Sequence, residues 1–234
     1  MAFNNRWICK YDNLFSFDEI KENIKTNDFF IENTNFNSLK HKIDIYDEYS
    51  SEKLNFIYGK YGYEYETNAS TPQITEEKII DTGDLIVKTN VISFWIADNN
   101  IILFSLKDAK SKNKFAENIL TDESSIRNVD IDIKKIHEDV DKGKLSDMWA
   151  SAFENRDNNV NKGSFYGVHV NDDPIYSETE EATKNFVGIM KDIGDEKIKL
   201  KLTKDGGIQI LGRQLNPLDN LPFNIIEDLE EYIS

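Results

Sequence analysis

Residues Val91–Leu106, VISFWIADNNIILFSL, set two runs rich in Val, Ile, Phe and Trp on either side of Asp98-Asn99-Asn100. This pattern predicts a β-hairpin, with Asn supplying the backbone freedom of the turn. Both parities of the first run are apolar: Ile92, Phe94 and Ile96 on one side, Val91, Trp95 and Ala97 on the other. A strand that is apolar on both faces is usually covered on both, so the hairpin is expected at the centre of a sheet.

The same reading extends along the chain. Trp7–Tyr11 predicts a strand, and Ser16 or Asp18 caps a helix to about Lys25 with Phe17, Ile20 and Ile24 on one face. Asn27–Ser51 shows no clean period. In Lys53–Thr67, Tyr61, Tyr63 and Tyr65 alternate with Gly62, Glu64 and Glu66, the signature of a half-buried strand or tight hairpin. Asn68–Thr75, with Pro72, reads as a loop, and Lys78–Thr89 as one or two short strands. Asp108 caps a helix from Ala109 to about Thr121, in which Phe115 pairs with Ile119 and Ala116 with Leu120. Asn128–Ile133 predicts a short strand merging into a helical turn.

In the second half, Leu145, Met148, Trp149, Ala152 and Phe153 recur at helical spacing, and Asn155–Gly163 reads as a flexible loop. Ser164–Val170 predicts a strand. Ser177 and Glu180 form a capping-box pattern that opens a helix through Phe186, Val187 and Met190, stopped at Gly194. Lys197–Thr203 and Gly207–Leu211 predict a second hairpin around Asp205-Gly206. Asn224 and Glu227 resemble the cap of a C-terminal helix.

Strands that come mostly in hairpins, interspersed with helices, predict an α+β fold: a mainly antiparallel sheet with amphipathic helices packed on it. The expected organisation is a single domain over residues 1–234, with two packed lobes, 1–122 and 123–234, as the alternative. No linker composition marks Thr121–Arg127.

Composition adds charge and compartment. Aromatic residues at 12% and hydrophobic residues at 39% argue against disorder. No apolar run reaches membrane-span length, and MAFNNRWICK lacks the apolar stretch of a secretory signal. Cys9 stands alone in an apolar run, which suits a buried thiol in a reducing cytoplasm. Forty-three acids against 28 bases give a net charge of −15. That disfavours broad nucleic-acid binding, leaves room for a local basic patch, and suits a basic protein partner or mimicry of nucleic-acid charge. The richness in Asn, Lys and Ile suggests an AT-rich genome.

Four patterns bear on chemistry. Gly59–Tyr65 resembles the base-stacking RNP1 strand of the RNA-recognition motif at Tyr61-Gly62-Tyr63, with Tyr65 on the same side. It departs at Glu64 and Glu66, and its Lys-Gly opening is reversed, so packing into a core or against a helix is the preferred reading of these tyrosines. Lys197, Lys199 and Lys201 share one strand face, with Lys204 beyond at the turn; Lys107, Lys110, Lys112 and Lys114 form another array. Such rows face phosphate or an acidic partner, or else keep an exposed sheet from pairing with other chains. With no Arg or aromatic interleaved in sequence, the second reading is preferred. A metal-nuclease pattern fails at Asp98…Ser105-Leu-Lys107 for want of a carboxylate; Asp132-Ile-Lys134 with Asp130 has the residue types but no defined upstream acid. His169, Asp172 and Asp173 offer half a metal site at a strand end, though an Asp-Asp-Pro turn after a strand is the commoner reading. Phosphate-loop, dinucleotide-binding, nucleophile-elbow and cysteine-cluster motifs are absent, and no cofactor is implied.

These patterns support a non-enzymatic acidic protein-interaction or inhibitory module, an accessory factor in microbial defence or counter-defence, with homo-oligomerisation compatible. The alternative is a nucleic-acid-engaging protein or divalent-metal nuclease that uses the lysine-bearing strands.

Overall fold

A computed structural model describes residues 5–11, 16–74, 79–120, 126–155, 161–179, 181–193 and 196–234, with the backbone alone at 69–74 and 79–84. The strands are β1 (Asn5–Tyr11), β2 (Phe29–Asn33), β3 (Ser38–Ser50), β4 (Asn55–Ile74), β5 (Ile79–Ala97), β6 (Ile101–Phe104), β7 (Ile126–Asn128), β8 (Met148–Glu154), β9 (Gly163–Tyr166), β10 (Thr183–Ile193), β11 (Glu196–Thr203) and β12 (Gly207–Leu211). The helices are α1 (Phe17–Thr26), α2 (Ala109–Ile119), α3 (Ile133–Asp141), α4 (Pro174–Ser177) and α5 (Leu221–Asp228). All twelve strands belong to one sheet, ordered β2-β3-β4-β5-β6-β1-β12-β11-β10-β8-β9, with β7 beside β1. Every strand pairing is antiparallel, as the hairpin pattern predicts.

The first strand in sequence joins the two halves. Trp7–Lys10 of β1 pairs with β6, while its other edge pairs with β12 through Asn5–Trp7 and with β7 through Cys9–Tyr11. The opening hairpin forms as expected, and Asn100 turns with a φ of +64°. It is covered on both sides. Phe94, Ile96, Ile102 and Phe104 share one buried cluster with Ile20 and Ile24 of α1 and Phe115 and Ile119 of α2. Trp95, Ala97, Ile101 and Leu103 share another with Ile136 and Val140 of α3 and Phe223, Ile225 and Ile226 of α5.

Local signals behave as physics requires at several ends. The Ser16 hydroxyl accepts from the Glu19 amide at 3.2 Å, and the Glu19 carboxylate accepts from the Ser16 amide at 2.7 Å, a complete capping box. Asp108 accepts from the Lys110 and Ser111 amides to start α2. Gly206, at φ +79°, closes the β11–β12 hairpin. Among the described residues, no helix is long and apolar enough to cross a membrane.

Several sequence expectations are corrected. Met148–Glu154 and Thr183–Ile193 are strands, not parts of helices. In β8 both parities carry apolar residues, and a two-sided strand then imitates helical spacing. In β10 the β-branched Val187, Ile189 and Ile193 alternate, and Gly188 disfavours a helix interior. The helical turn before β10 is α4, capped by Asp173 rather than Ser177. Ser164–Val170 is a strand only to Tyr166, with a 3-10 turn at Val170–Asp172. The backbone of Asn68–Ile74 continues β4 rather than looping, and β5 is one strand from Ile79. Asn27–Ser51 contains the β2–β3 hairpin. Ile133–Asp141 is a helix capped by Asp132, and α5 begins after Asn220, leaving Asn224 in its interior. Gly194 and most of the Asn155–Gly163 loop lie outside the described residues.

Candidate functional site

Register assembles a surface that the linear sequence hides. Lys201 stands opposite Gly188 of β10 and Gln209 of β12, and Lys199 opposite Met190 and Leu211. Phe186 and Gly188 stand opposite Ala152 and Ala150 of β8, and Ala150 opposite Tyr166 of β9. Directly opposed residues share a face. The Lys197-Lys199-Lys201 row therefore shares one sheet surface with Phe186 and Tyr166, continuing past β12 to Trp7.

Trp149 reaches this surface through a bulge. Gly188 pairs with Ala150 and Ile189 with Met148, so Trp149 is an extra residue in β8. Bulges re-aim side chains in this way. The Trp149 indole lies against Gly188, where a Cβ would come within 2.6 Å of the ring. Its N–H donates to the carbonyls of Ile189 and Leu200, each at 3.2 Å. Glycine at 188 is what lets the ring lie down on the strands. The Lys199 ammonium stands 5.6 Å from the Trp149 ring centre and the Lys201 ammonium 4.0 Å from that of Phe186. Tyr166, 65% exposed, has its ring 6.5 Å from Trp149 and 6.3 Å from Phe186.

Charge on this surface is local and uncommitted. Among the described residues, no carboxylate pairs with Lys197, Lys199, Lys201 or Lys204. Of the nearby acids, Glu196 binds Arg213 at 3.2 Å and Asp205 binds Lys107 and the Thr203 hydroxyl, whereas Asp192 stands opposite Lys197 on the same face and tempers that end of the row. Burial pushes the Asp205 carboxyl up, but those hydrogen bonds more than reverse it and hold it below its usual range. The other lysine array is used internally. Lys107 holds Asp205, Lys112 is buried on Asn128, Lys114 holds Glu32, and Lys110 lies over Tyr65.

The remaining sequence candidates separate. Tyr61 and Tyr63, 0% and 1% exposed, are closed to base stacking. Tyr61 accepts from Asn118 at 2.7 Å and Tyr63 meets Ser111 at 2.8 Å, both partners lying in α2, and Tyr65 packs against the same cluster. The RNP1-like expectation is corrected here: a tyrosine stripe under a helix is core. His169 pairs with Asp147 at 3.2 Å, Asp173 caps α4, and Asp172 sits in the 3-10 turn between them. Among the described residues, no three His, Cys, Asp or Glu side chains are arranged to hold a metal ion. Asp132 caps α3.

Trp149, Phe186 and Tyr166 escaped the sequence reading because the first two were assigned to helices. Gly188 inside an apolar, β-branched run was the signal that could have exposed β10. The surface offers flat aromatic faces and unpaired ammonium groups, a combination suited to stacking and charge neutralisation rather than bond-breaking. The chain matches no protein-family model, no curated protein and no solved structure at a meaningful level.

Proposed function

We propose that this protein is a binding module that holds single-stranded nucleic acid on the surface formed by β1 and β8–β12. The observation that carries this reading is the joint presentation of Trp149, Tyr166 and Phe186 with Lys199 and Lys201 on one sheet face. Aromatic rings stack on bases of any identity, and lysines neutralise the connecting phosphates. Alternate residues of a strand stand about 6.8 Å apart, so the lysine row is a ladder that a flexible single strand can follow. The net charge of −15 restricts binding to this patch and opposes sliding over the rest of the surface. The same net charge favours a second reading, an interaction module for a basic protein partner.

Fluorescence anisotropy with a labelled oligothymidine in increasing salt tests the proposal. With three or four phosphate contacts, log K falls against log[salt] with a slope of about −2 to −3. Reversing Lys199 and Lys201 to Glu weakens binding by more than about ten-fold, while Lys114→Glu does not. Binding that ignores the first pair, or no binding at low salt, defeats it. In that case, capture of basic peptides would favour the second reading.

A further inference from the structure

A cleft of about 1000 Å³ opens between α3, α4 and the start of β10, in a size range typical of small-molecule sites. Ile133, His137, Tyr176 and Ala182 line it and are buried. The His137 and Tyr176 rings stack with centres 5.7 Å apart, and Nδ1 of His137 is hydrogen-bonded to the Tyr176 hydroxyl. The Lys184 ammonium, 4.7 Å from the Tyr176 ring centre, donates to the carbonyl and hydroxyl of Thr179 at 2.7 Å each.

His137 is only 5% exposed, and its Nε2 is buried with no partner. A buried polar atom left unsatisfied is costly, so its persistence in a cleft wall calls for a partner. The direction of the other hydrogen bond fixes what Nε2 can do. Phenol is the stronger acid and imidazole the stronger base, so the Tyr176 O–H donates to Nδ1. Nε2 then carries the proton and requires an acceptor. Among the described residues, the cation Lys184 is the charged group that bears on this imidazole, after burial itself. Asp130, Asp132, Glu138, Asp141 and Glu181 line the opening; of these Asp132 caps α3 and Glu138 pairs with Lys142 at 3.4 Å, so the anion is held at the His137–Lys184 end. Lys134 and Lys204 also line the opening.

We propose that this cleft binds a small organic anion whose carboxylate or phosphate oxygen accepts the His137 Nε2–H beside Lys184. The volume exceeds what an inorganic ion fills, so the anion carries an organic body against Ile133 and Ala182.

The test follows the ¹⁵N resonances of the His137 imidazole in the full chain, with benzoate, phenyl phosphate and choline as probes. Benzoate or phenyl phosphate shifts Nε2 with saturation below about 50 mM, and choline does not. The tighter of the two anions identifies the acid. Tyr176→Phe keeps the ring packing but releases the tautomer, and weakens the anion by about ten-fold. Absence of a saturable shift with both anions, an equal response to choline, or a protonated Nδ1 in the free protein overturns the proposal. Because His137→Gln changes a buried group, its thermal unfolding is compared with and without anion. Loss of the anion-induced rise in Tm supports the site, and an undiminished rise overturns it.

Discussion

One surface of one sheet is used in two different ways. Trp7 stands opposite both Phe104 and Gly207, so the face that carries Phe94, Tyr61 and Tyr63 continues without a break to Lys201, Phe186, Trp149 and Tyr166. In the first half the aromatics share a core with α1 and α2, and their hydroxyls are satisfied by Asn118 and Ser111. In the second half the aromatics are partly exposed and the neighbouring cations lack carboxylate partners among the described residues. Aromatic alternation on a strand therefore says little about binding. What matters is whether another element lies on top of it.

The largest expected effect separates cover from surface. Phe115 of α2 is fully buried, with its ring 4.7 Å from Phe94, 5.3 Å from Phe104 and 5.7 Å from Tyr61. Phe115→Ala costs about 3–5 kcal/mol and lowers Tm by on the order of 10 °C. Trp149→Ala removes a half-buried ring that lies along Gly188 on the strands. Its stability loss is well under half as large, but it weakens oligonucleotide binding by about 5- to 150-fold. Calorimetry and anisotropy on both variants provide the check. Equal stability losses, or normal binding by the Trp149→Ala variant, would erase the distinction between the halves.

Much of the scaffold was legible in the sequence, and the candidate surface was not. The hairpin at Val91–Leu106, the α1 capping box, the Asp108 cap and the Asp205-Gly206 turn are all local devices, fixed within a few residues. The candidate surface instead depends on which strand lies beside β11, a contact between residues far apart in the chain. The lysine row was visible by its alternation, but its aromatic neighbours come from β8, β9 and β10. Two of those strands imitate helices because their two sides are both apolar or because a capping pattern stands upstream. The Tyr61-Tyr63-Tyr65 stripe was ambiguous in the opposite sense, fitting a core or a base-stacking face. Its period was right, but the helix that covers it arrives some fifty residues later.

Each half also buries one histidine, and pH distinguishes them. Burial, aided by Lys184, lowers the His137 pKa to about 3, whereas Glu32 at 3.2 Å opposes the lowering that burial imposes on His41. Below about pH 6.5 the unfolded chain takes up a proton that folded His137 refuses. Its contribution is therefore fully present above the unfolded pKa and is lost as pH falls from about 6.5 toward 3, by up to about 1.4 kcal/mol per unit. Urea unfolding at pH 7, 6, 5 and 4 reads this slope. His137→Gln flattens it more than His41→Gln, and the reverse order would mean that the second half holds its histidine less tightly than its burial implies.

The smallest effect concerns the part of the first half that lies beyond its cover. Thr67–Ile74 of β4 pairs with Ile79–Ile86 of β5, and the register of β3 on β4 ends at Tyr63. Glu66 ties the base of the ribbon to the β2–β3 turn, accepting from Thr34 at 2.6 Å and Asn37 at 2.8 Å. A two-stranded ribbon adds little stability by itself, and among the described residues no third strand pairs with this one. Replacing residues 68–85 with an Asn-Gly turn keeps the Tyr63 register and is expected to move Tm by less than about 3 °C. Two-stranded ribbons are also shapes that enter nucleic-acid grooves, so the shortened chain discriminates between binding surfaces. Unchanged oligonucleotide affinity keeps the contact on β8–β12, whereas a loss comparable to that of Lys199→Glu with Lys201→Glu would move it to the ribbon and reverse the assignment of the two halves.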